Sequence, residues 1–411
     1  MSEKNIKKNI VLLRTSMKQN FLDAYIVPHN DESLSEYVPN NKERLKWISG
    51  FSGSAGTLLL TKNKLLLFTD GRYLLQAEEQ TRDFHCKIID TSKLSLLEYL
   101  RINQSQFRVL GIESKLVSLF EYSSFQNLLL NKKNKIKIIN KNLIDALWKR
   151  ALNIQDLKKV FFLPKKYVGV TRSKKILRVS SYLKNQRSDY IFTQDSESVA
   201  WLYNLRGADL PHTPLTTCSA LIGINNQKIF FDADKIPANL KNKFGSTTEL
   251  YSMRELSKVL KKTCNSSSKI IIDQNKISLF NYTLLKAITK NILIKNDILL
   301  SYRSIKNNTE VNCSKYAHIL DGIAMCKFLY WFKNYSGSLS ELDVVNKVNN
   351  LRSQNKGFIC TSFPTIAGAG SNGAIIHYQP SIDTNKKINK KDILLLDSGG
   401  QYLFGTTDVT R

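Results

Sequence analysis

The sequence predicts an α/β (α+β) protein made of two similar alternating segments and a third, glycine-punctuated one. Three observations predict it. Short apolar runs, bounded by turn residues, alternate with stretches whose apolar residues recur at helical spacing. The alternation starts over, in the same order, past residue 155. After Arg303 it gives way to two helical stretches and then to β-like runs separated by glycines. The segments are therefore expected at 1–155, 156–302 and 303–411.

In the first segment, residues 4–20 are basic and helical in pattern, and Ala24–Pro28 is an apolar run ended by proline. Residues 57–70, TLLLTKNKLLLFTD, predict two strands around a Lys-Asn-Lys turn. Residues 72–80 have helical spacing, 108–113 predict a strand, 118–130 a helix and 136–140 a strand. The second segment predicts a helix at 173–185, a strand at 189–194 and a helix at 198–207 stopped by Gly207. Paired strands follow at 219–224 and 228–234, then KIIID at 269–273, which repeats the pattern and place of RVLGIE. In the third segment, Val311, Tyr316, Ile319, Ile323, Phe328 and Leu329 predict one long amphipathic helix over 308–334. Its buried face would take up Met325, Trp331 and Phe332 without any cofactor. A second helix is expected at 341–354, and 362–380 should alternate β runs with glycine turns.

Composition narrows the function. Hydrophobic residues are 42% and aromatics 10% of the chain, as in a folded protein. No apolar run approaches the roughly 18 residues of a membrane span, and Ile10–Leu13 is too short for a signal-peptide core. A cytoplasmic location with no membrane partner is the expectation. The six cysteines form no Cys-x-x-Cys pair, so dispersed reduced thiols are expected. The net charge of +27 is large. The lysines are nevertheless scattered among Asn and Ile, as in 131–142 and 385–392, with no stacking aromatics between them. A solvated basic surface, not a nucleic-acid site, is the reading.

The chemistry-bearing residues cluster at the C-terminal end. GAGSNG at 368–373 matches Gly-x-Gly-x-x-Gly, but a dinucleotide loop needs a helix after it. Ala374–Tyr378 is strand-like instead, so a glycine turn is expected. Asp397 and Asp408 sit in or beside β-prone runs, with Ser398-Gly399-Gly400 between them. A hairpin could bring both carboxylates to one side, where they could share hard cations. His377 precedes them by twenty residues, whereas His29, His85, His212 and His318 show no metal spacing and read as structural.

Several of these stretches also resemble a known family. His377-Tyr378, LDSGGQY at 396–402 and GTTDVTR at 405–411 resemble the catalytic signatures of the three-domain, cytosolic-type Xaa-Pro aminopeptidases (aminopeptidase P). LDAYIVPHND (22–31), WISGFSGSAGTLLLT (47–61), FTDGRYLLQAEEQ (68–80), YVGVTRSKKILRV (167–179), VAWLYNLRGADLP (199–211) and SFPTIAGAGSNGAIIHY (362–378) extend the likeness along the whole chain in the family's order. The resemblance implies two creatinase-type N-terminal α/β domains and part of a pita-bread catalytic domain. It implies two metal ions, usually manganese with zinc or cobalt as alternatives, held by five ligands of which Asp397 and Asp408 match the first two. It implies that His377 hydrogen-bonds substrate beside the metals, that the substrates are proline-containing peptides, and that the complete enzyme is a homodimer. The family's remaining histidine and two glutamates would follow the equivalent of Arg411, so the 411 residues alone are expected to be inactive. A non-catalytic, creatinase-like binding module for peptides or proteins is the alternative.

Overall fold

The computed structural model describes residues 3–128, 134–150, 160–231 and 242–411. By packing, the chain forms two compact units. The first is Met1–Leu157, Leu177–Val199 and Thr217–Ile298; the second is Lys158–Ile176, Ala200–Thr216 and Leu299–Arg411. The expected segment boundary at 155 lies outside the described residues, as do the tails of the predicted 118–130 helix and 228–234 strand.

The first sheet is built from β1 (Ala24–Pro28), β2 (Thr57–Thr61), β3 (Leu65–Thr69), β4 (Lys87–Asp90), β5 (Val109–Glu113) and β6 (Lys135–Ile139), in the order β4-β3-β2-β1-β5-β6. The expected hairpin forms, with Thr57 opposite Phe68. Strands β1 and β3 are buried along their whole length because both sheet faces are covered. Leu13 and Met17 of the Glu3–Gln19 helix pack with Tyr25, Val27, Leu58 and Leu60 on one face. Ala24, Ile26, Leu59, Leu110 and Ile112 fill the other. Alternate residues of one strand thus serve two cores, which is why these strands read as continuous apolar runs.

The second sheet repeats the first. After the short β7 (Phe161–Phe162) come β8 (Tyr190–Thr193), β9 (Leu205–Arg206), β10 (Ser219–Gly223), β11 (Gln227–Phe230), β12 (Thr248–Tyr251), β13 (Ile270–Ile272) and β14 (Ile292–Ile294). The order is β12-β11-β10-β8-β13-β14, with β7 and β9 paired apart. Each neighbouring pair is parallel or antiparallel as in the first sheet. The helix expected at 198–207 ends at Tyr203, where Asn204 turns left-handed at φ 55°, and Leu205–Arg206 pairs as a strand.

The two sheets meet at a reciprocal seam within the first unit. Leu119 N donates to Ile277 O at 3.0 Å, and Leu279 N donates to Val117 O at 2.9 Å. Phe120 N donates to Gln274 O and Phe280 N to Ser114 O, at 3.0 and 2.9 Å. Ser118 and Ser278 bridge at its centre. The same Ser-Leu-Phe segment therefore appears on both sides. At the carboxyl end of β5, Glu113 is 4% exposed, with one carboxylate oxygen unpaired among the described residues. Burial pushes its pKa up to about 7; the side chains around it are Asn142, Arg44, Asp145, Glu32 and Tyr25.

The second unit holds the long helix, Asn308–Asn334, and the helix Glu341–Ser353. Small sheets surround them: β15 (Leu339–Ser340) with β18 (Lys387–Ile388); β16 (Phe358–Thr361) with β20 (Gly400–Tyr402) and β21 (Gly405–Thr406); β17 (Ile366–Ala369) with β19 (Leu394–Ser398) and β22 (Val409–Thr410). The long helix forms as expected, with Met325 and Phe328 buried and Trp331 and Phe332 packed on the same core, but only part of the expected apolar face is inside. Ala317, Asp321, Ala324, Met325 and Phe328 are buried, whereas Val311, Tyr316, Ile319, Ile323 and Leu329 are exposed, Ile319 by 59%. The buried side also carries an internal ion pair. Asp321 meets Arg352, itself fully buried, at 2.8 and 2.9 Å, so a carboxylate occupies a core position on the helix.

Candidate metal centre

Asp397 is the fourth residue of β19, a strand that the Leu394-Leu395-Leu396 run supplies. β19 lies between β17 and β22, with Asp397 opposite Ile366 on one side and Thr410 on the other. From Ser398 the chain leaves the ladder through Gly399, runs up and down the β20–β21 hairpin, and returns as β22. Gly399 has no alternative: a Cβ there would stand 2.0 Å from Thr407 O and 2.3 Å from Ser362 Oγ. Thr407 closes the hairpin base. Its N–H donates to Gly400 O at 2.9 Å, its hydroxyl accepts from Gly400 N at 2.9 Å, and its carbonyl accepts from Ser362 Oγ at 2.8 Å.

This register brings the two carboxylates together. Ser398 pairs with Val409, and Leu396 and Arg411 exchange both backbone hydrogen bonds at 2.8 Å. Position 408 therefore stands opposite 399, on the same face as 397. Asp397 and Asp408 are diagonal neighbours across the ladder, a separation of about 7–8 Å between backbones. Asp397 is half-buried and Asp408 exposed. Asp397 Oδ1 is shielded from water and has no hydrogen-bond donor among the described residues. A shielded anionic oxygen with no donor fits a hard divalent cation. No group of three or more His, Cys, Asp or Glu positioned for a metal occurs among the described residues.

His377 lies elsewhere in the unit. β17 runs into a 3₁₀ turn, Gly370–Ala374, opened by Gly370 at φ 55°. Ile375–His377 then turns, and His377 itself is left-handed at φ 58° and half-buried. The strand expected at Ala374–Tyr378 is thus a turn, and Ile376 is 54% exposed. The glycine motif carries no α-helix after it, so the dinucleotide arrangement is excluded. Asp397 thus lies in β19, Asp408 immediately before β22, and His377 in the turn after β17.

Sequence reading missed the buried polar groups that hold these pieces. Tyr402 donates to Asp321 Oδ1 at 3.0 Å. Burial alone would raise the Asp321 pKa, but Arg352 overrides it and holds the carboxyl below its usual range, with Thr407 and Tyr402 adding hydrogen bonds. Burial, together with the Asp321 charge, pushes the Tyr402 hydroxyl up to about 12. Asp321 thus grips both Tyr402 and Thr407 of the hairpin that ends at Asp408. His212 also reaches the hairpin region. Its Nδ1 lies 2.8 Å from Thr361 Oγ1, its carbonyl accepts from Gln401 Nε2 at 3.0 Å, and burial lowers its pKa. Glu341 is a further buried carboxylate, at the start of the helix Glu341–Ser353 and bonded to Tyr378 of the loop that carries His377. A carboxylate at helical spacing reads as a solvated face, so the sequence carried no signal for Asp321 or Glu341.

Known families match most of the length of the chain. The model for the Creatinase/Prolidase N-terminal domain matches residues 10–146, a second model of the same description matches 153–310, and Metallopeptidase family M24 matches 312–411. Xaa-Pro aminopeptidase 1 of Dictyostelium discoideum is 35% identical over 428 residues, covering 100% of this chain and 67% of the relative. Xaa-Pro aminopeptidase ApepP of Drosophila melanogaster is 32% identical over 403 residues, covering 95% and 65%. The crystal structure of X-prolyl aminopeptidase from Caenorhabditis elegans, described as a cytosolic enzyme with a di-nuclear active site, superposes with a TM-score of 0.91. Its sequence identity is 25%, over 99% of this chain and 69% of that one. The chain spans about two thirds of the length of these relatives.

Proposed function

Because the chain belongs to the Xaa-Pro aminopeptidase family, a family of M24 metallopeptidases, we propose that it contributes Asp397 and Asp408 to a di-metal centre that releases the N-terminal residue of Xaa-Pro peptides. The carrying observation is the shielded, donor-free Asp397 Oδ1 on the face shared with Asp408. Divalent ions at such carboxylates, with manganese the proposed metal, supply an activated water at neutral pH and polarise the scissile carbonyl. Asp397 is the firmer ligand because the ladder fixes its backbone on both sides. Asp408 is exposed beside the hairpin base. His377 donates a hydrogen bond to the substrate and stabilises the charge that develops on its carbonyl oxygen. The same reading takes residues 1–155 and 156–302 as the two N-terminal domains, and the working enzyme as a cytoplasmic homodimer. No helix among the described residues is long and apolar enough to cross a membrane.

The test measures metal content and turnover together, in these residues joined to the part of a relative's length that they do not span. Asp397→Ala and Asp408→Ala lose metal and turnover at once. His377→Ala keeps the metal and loses roughly 10²–10³ in kcat, the scale of one stabilising donor. Loss of metal in His377→Ala with retention in Asp397→Ala reverses the roles. Full activity in all three variants moves the site elsewhere. The 411-residue polypeptide by itself, whose two carboxylates leave a cation largely hydrated, turns over more slowly than about 1 s⁻¹ with manganese.

A further inference from the structure

The loop from Ala369 to Lys386 carries His377, and a single carboxylate ties it down. Glu341 is 0% exposed and opens the helix Glu341–Ser353. Its Oε1 accepts from Ala369 N at 2.7 Å and Asn372 Nδ2 at 2.9 Å. Its Oε2 accepts from the Tyr378 hydroxyl at 2.9 Å, Lys386 N at 3.0 Å and Asn372 Nδ2 at 3.2 Å. Asn372 Nδ2 also lies 2.9 Å from the Tyr378 oxygen, and Thr384 O lies 3.0 Å from it. One side chain therefore holds both ends of the loop and two points within it. No lysine or arginine forms an ion pair with Glu341 among the described residues, so these hydrogen bonds and the helix N-terminus alone compensate its buried charge.

His377, beside the anchor, is one of seven non-glycine residues with positive φ among the described residues. A left-handed non-glycine residue persists only where its surroundings over-determine it. Ile376, before His377, is 54% exposed, whereas Tyr378, after it, is 8% exposed and bonded to Glu341. We propose that Glu341, Asn372 and Tyr378 are positioning residues that fix the left-handed turn of His377 and thereby aim its imidazole. This rests on the reading of His377 given above. None of the three is proposed to touch substrate.

Tyr378→Phe is the variant of choice, because it removes one hydroxyl and keeps the ring, whereas Glu341→Ala could fail to fold. The first readout needs no activity. The chain has five histidines, so histidine-selective NMR of the 411-residue protein resolves each imidazole, and His377→Ala identifies one of them. Tyr378→Phe and Asn372→Ala should shift or broaden the His377 resonance and leave the other four in place. An unmoved His377 resonance in both variants overturns the proposal. The second readout is a double-mutant cycle in the metal-loaded enzyme. Tyr378→Phe should lower kcat by about tenfold to a hundredfold, with KM and metal content unchanged. Added to His377→Ala it should cost nothing further. A full additional loss in that background overturns the proposal, because Tyr378 would then act independently of His377. A shifted resonance together with a fully active His377→Ala enzyme supports the positioning and sinks the functional reading instead.

Discussion

The first unit and the C-terminal part of the second both bury a paired charge, Arg44 with Asp145 and Glu32 in one and Arg352 with Asp321 in the other, but the apolar pattern locates the core better in the first. Around β1–β6, apolar strands fill two cores, and helix residues such as Leu13 and Met17 cover them. Between residues 308 and 411, the interior also contains Asp321, Glu341 and Arg352, each at most 3% exposed, while Ile319 and Ile323 face outward. The apolar pattern is a reliable guide where burial is driven by hydrophobic area. It misleads where a polar network holds loops in place, because a paired carboxylate can take a core position that an isoleucine would otherwise occupy.

The sharpest way to break this contrast is to remove one partner of the internal ion pair. Asp321→Ala leaves Arg352 buried and unpaired, and should cost about 3–5 kcal/mol. The loss should appear as faster amide hydrogen exchange in 308–411, with the sheets of the first unit unchanged. Equal loss of protection in both units would show that the polar network is not local.

Glu113 sharpens the comparison from the other side, as a buried carboxyl of the first unit that lacks an ion-pair partner of its own among the described residues. Its folded pKa, about 7, lies above the ordinary 4.5. The folded protein thus binds the proton more tightly than the unfolded chain does. That contribution to stability is complete below about pH 4.5, declines as pH rises, and is gone above about pH 7. Glu113→Gln should therefore stabilise the protein at pH 8, by up to roughly 3 kcal/mol, and change little at pH 4. Denaturant unfolding at both pH values measures the difference. An equal effect at both would show that Glu113 does not titrate in this range.

The smallest effect belongs to the outward face of the long helix. Ile319→Ser, at 59% exposure, should change stability by no more than about 0.5 kcal/mol. A loss above 2 kcal/mol, the scale of an emptied core position, would mean that the residue is buried in solution and that the inward face has been misassigned.

Legibility in the sequence followed the same division. The Leu-rich runs around Lys62-Asn63-Lys64 announced the β2–β3 hairpin, and the similarity of residues 269–273 to 108–113 announced the repeated sheet. The pairing of Asp397 with Asp408 was readable as a possibility, from two β-prone runs and a glycine break. The register that puts them on one face needed the Thr407 closure of the hairpin, which no local pattern encodes. The turn at Ile375–His377 was misread because two β-branched residues favour a strand, and tertiary bonds to Tyr378 and Asn372 override that preference. Asp321 and Glu341 were invisible, since their partners Arg352 and Ala369 lie about thirty residues away.

The seam at Ser118 and Ser278 has a bearing on ancestry. A contact in which the same segment supplies both sides, each donating the bond that the other returns, has the symmetry of a homodimer interface. Here the two sides belong to one polypeptide. Covalent linkage makes the contact intramolecular, so the seam need not be strong enough to hold two separate molecules together. Freed from the need to be identical, the two halves can drift apart in sequence while keeping the shared strand order, and the four backbone hydrogen bonds across the seam depend on no particular side chain.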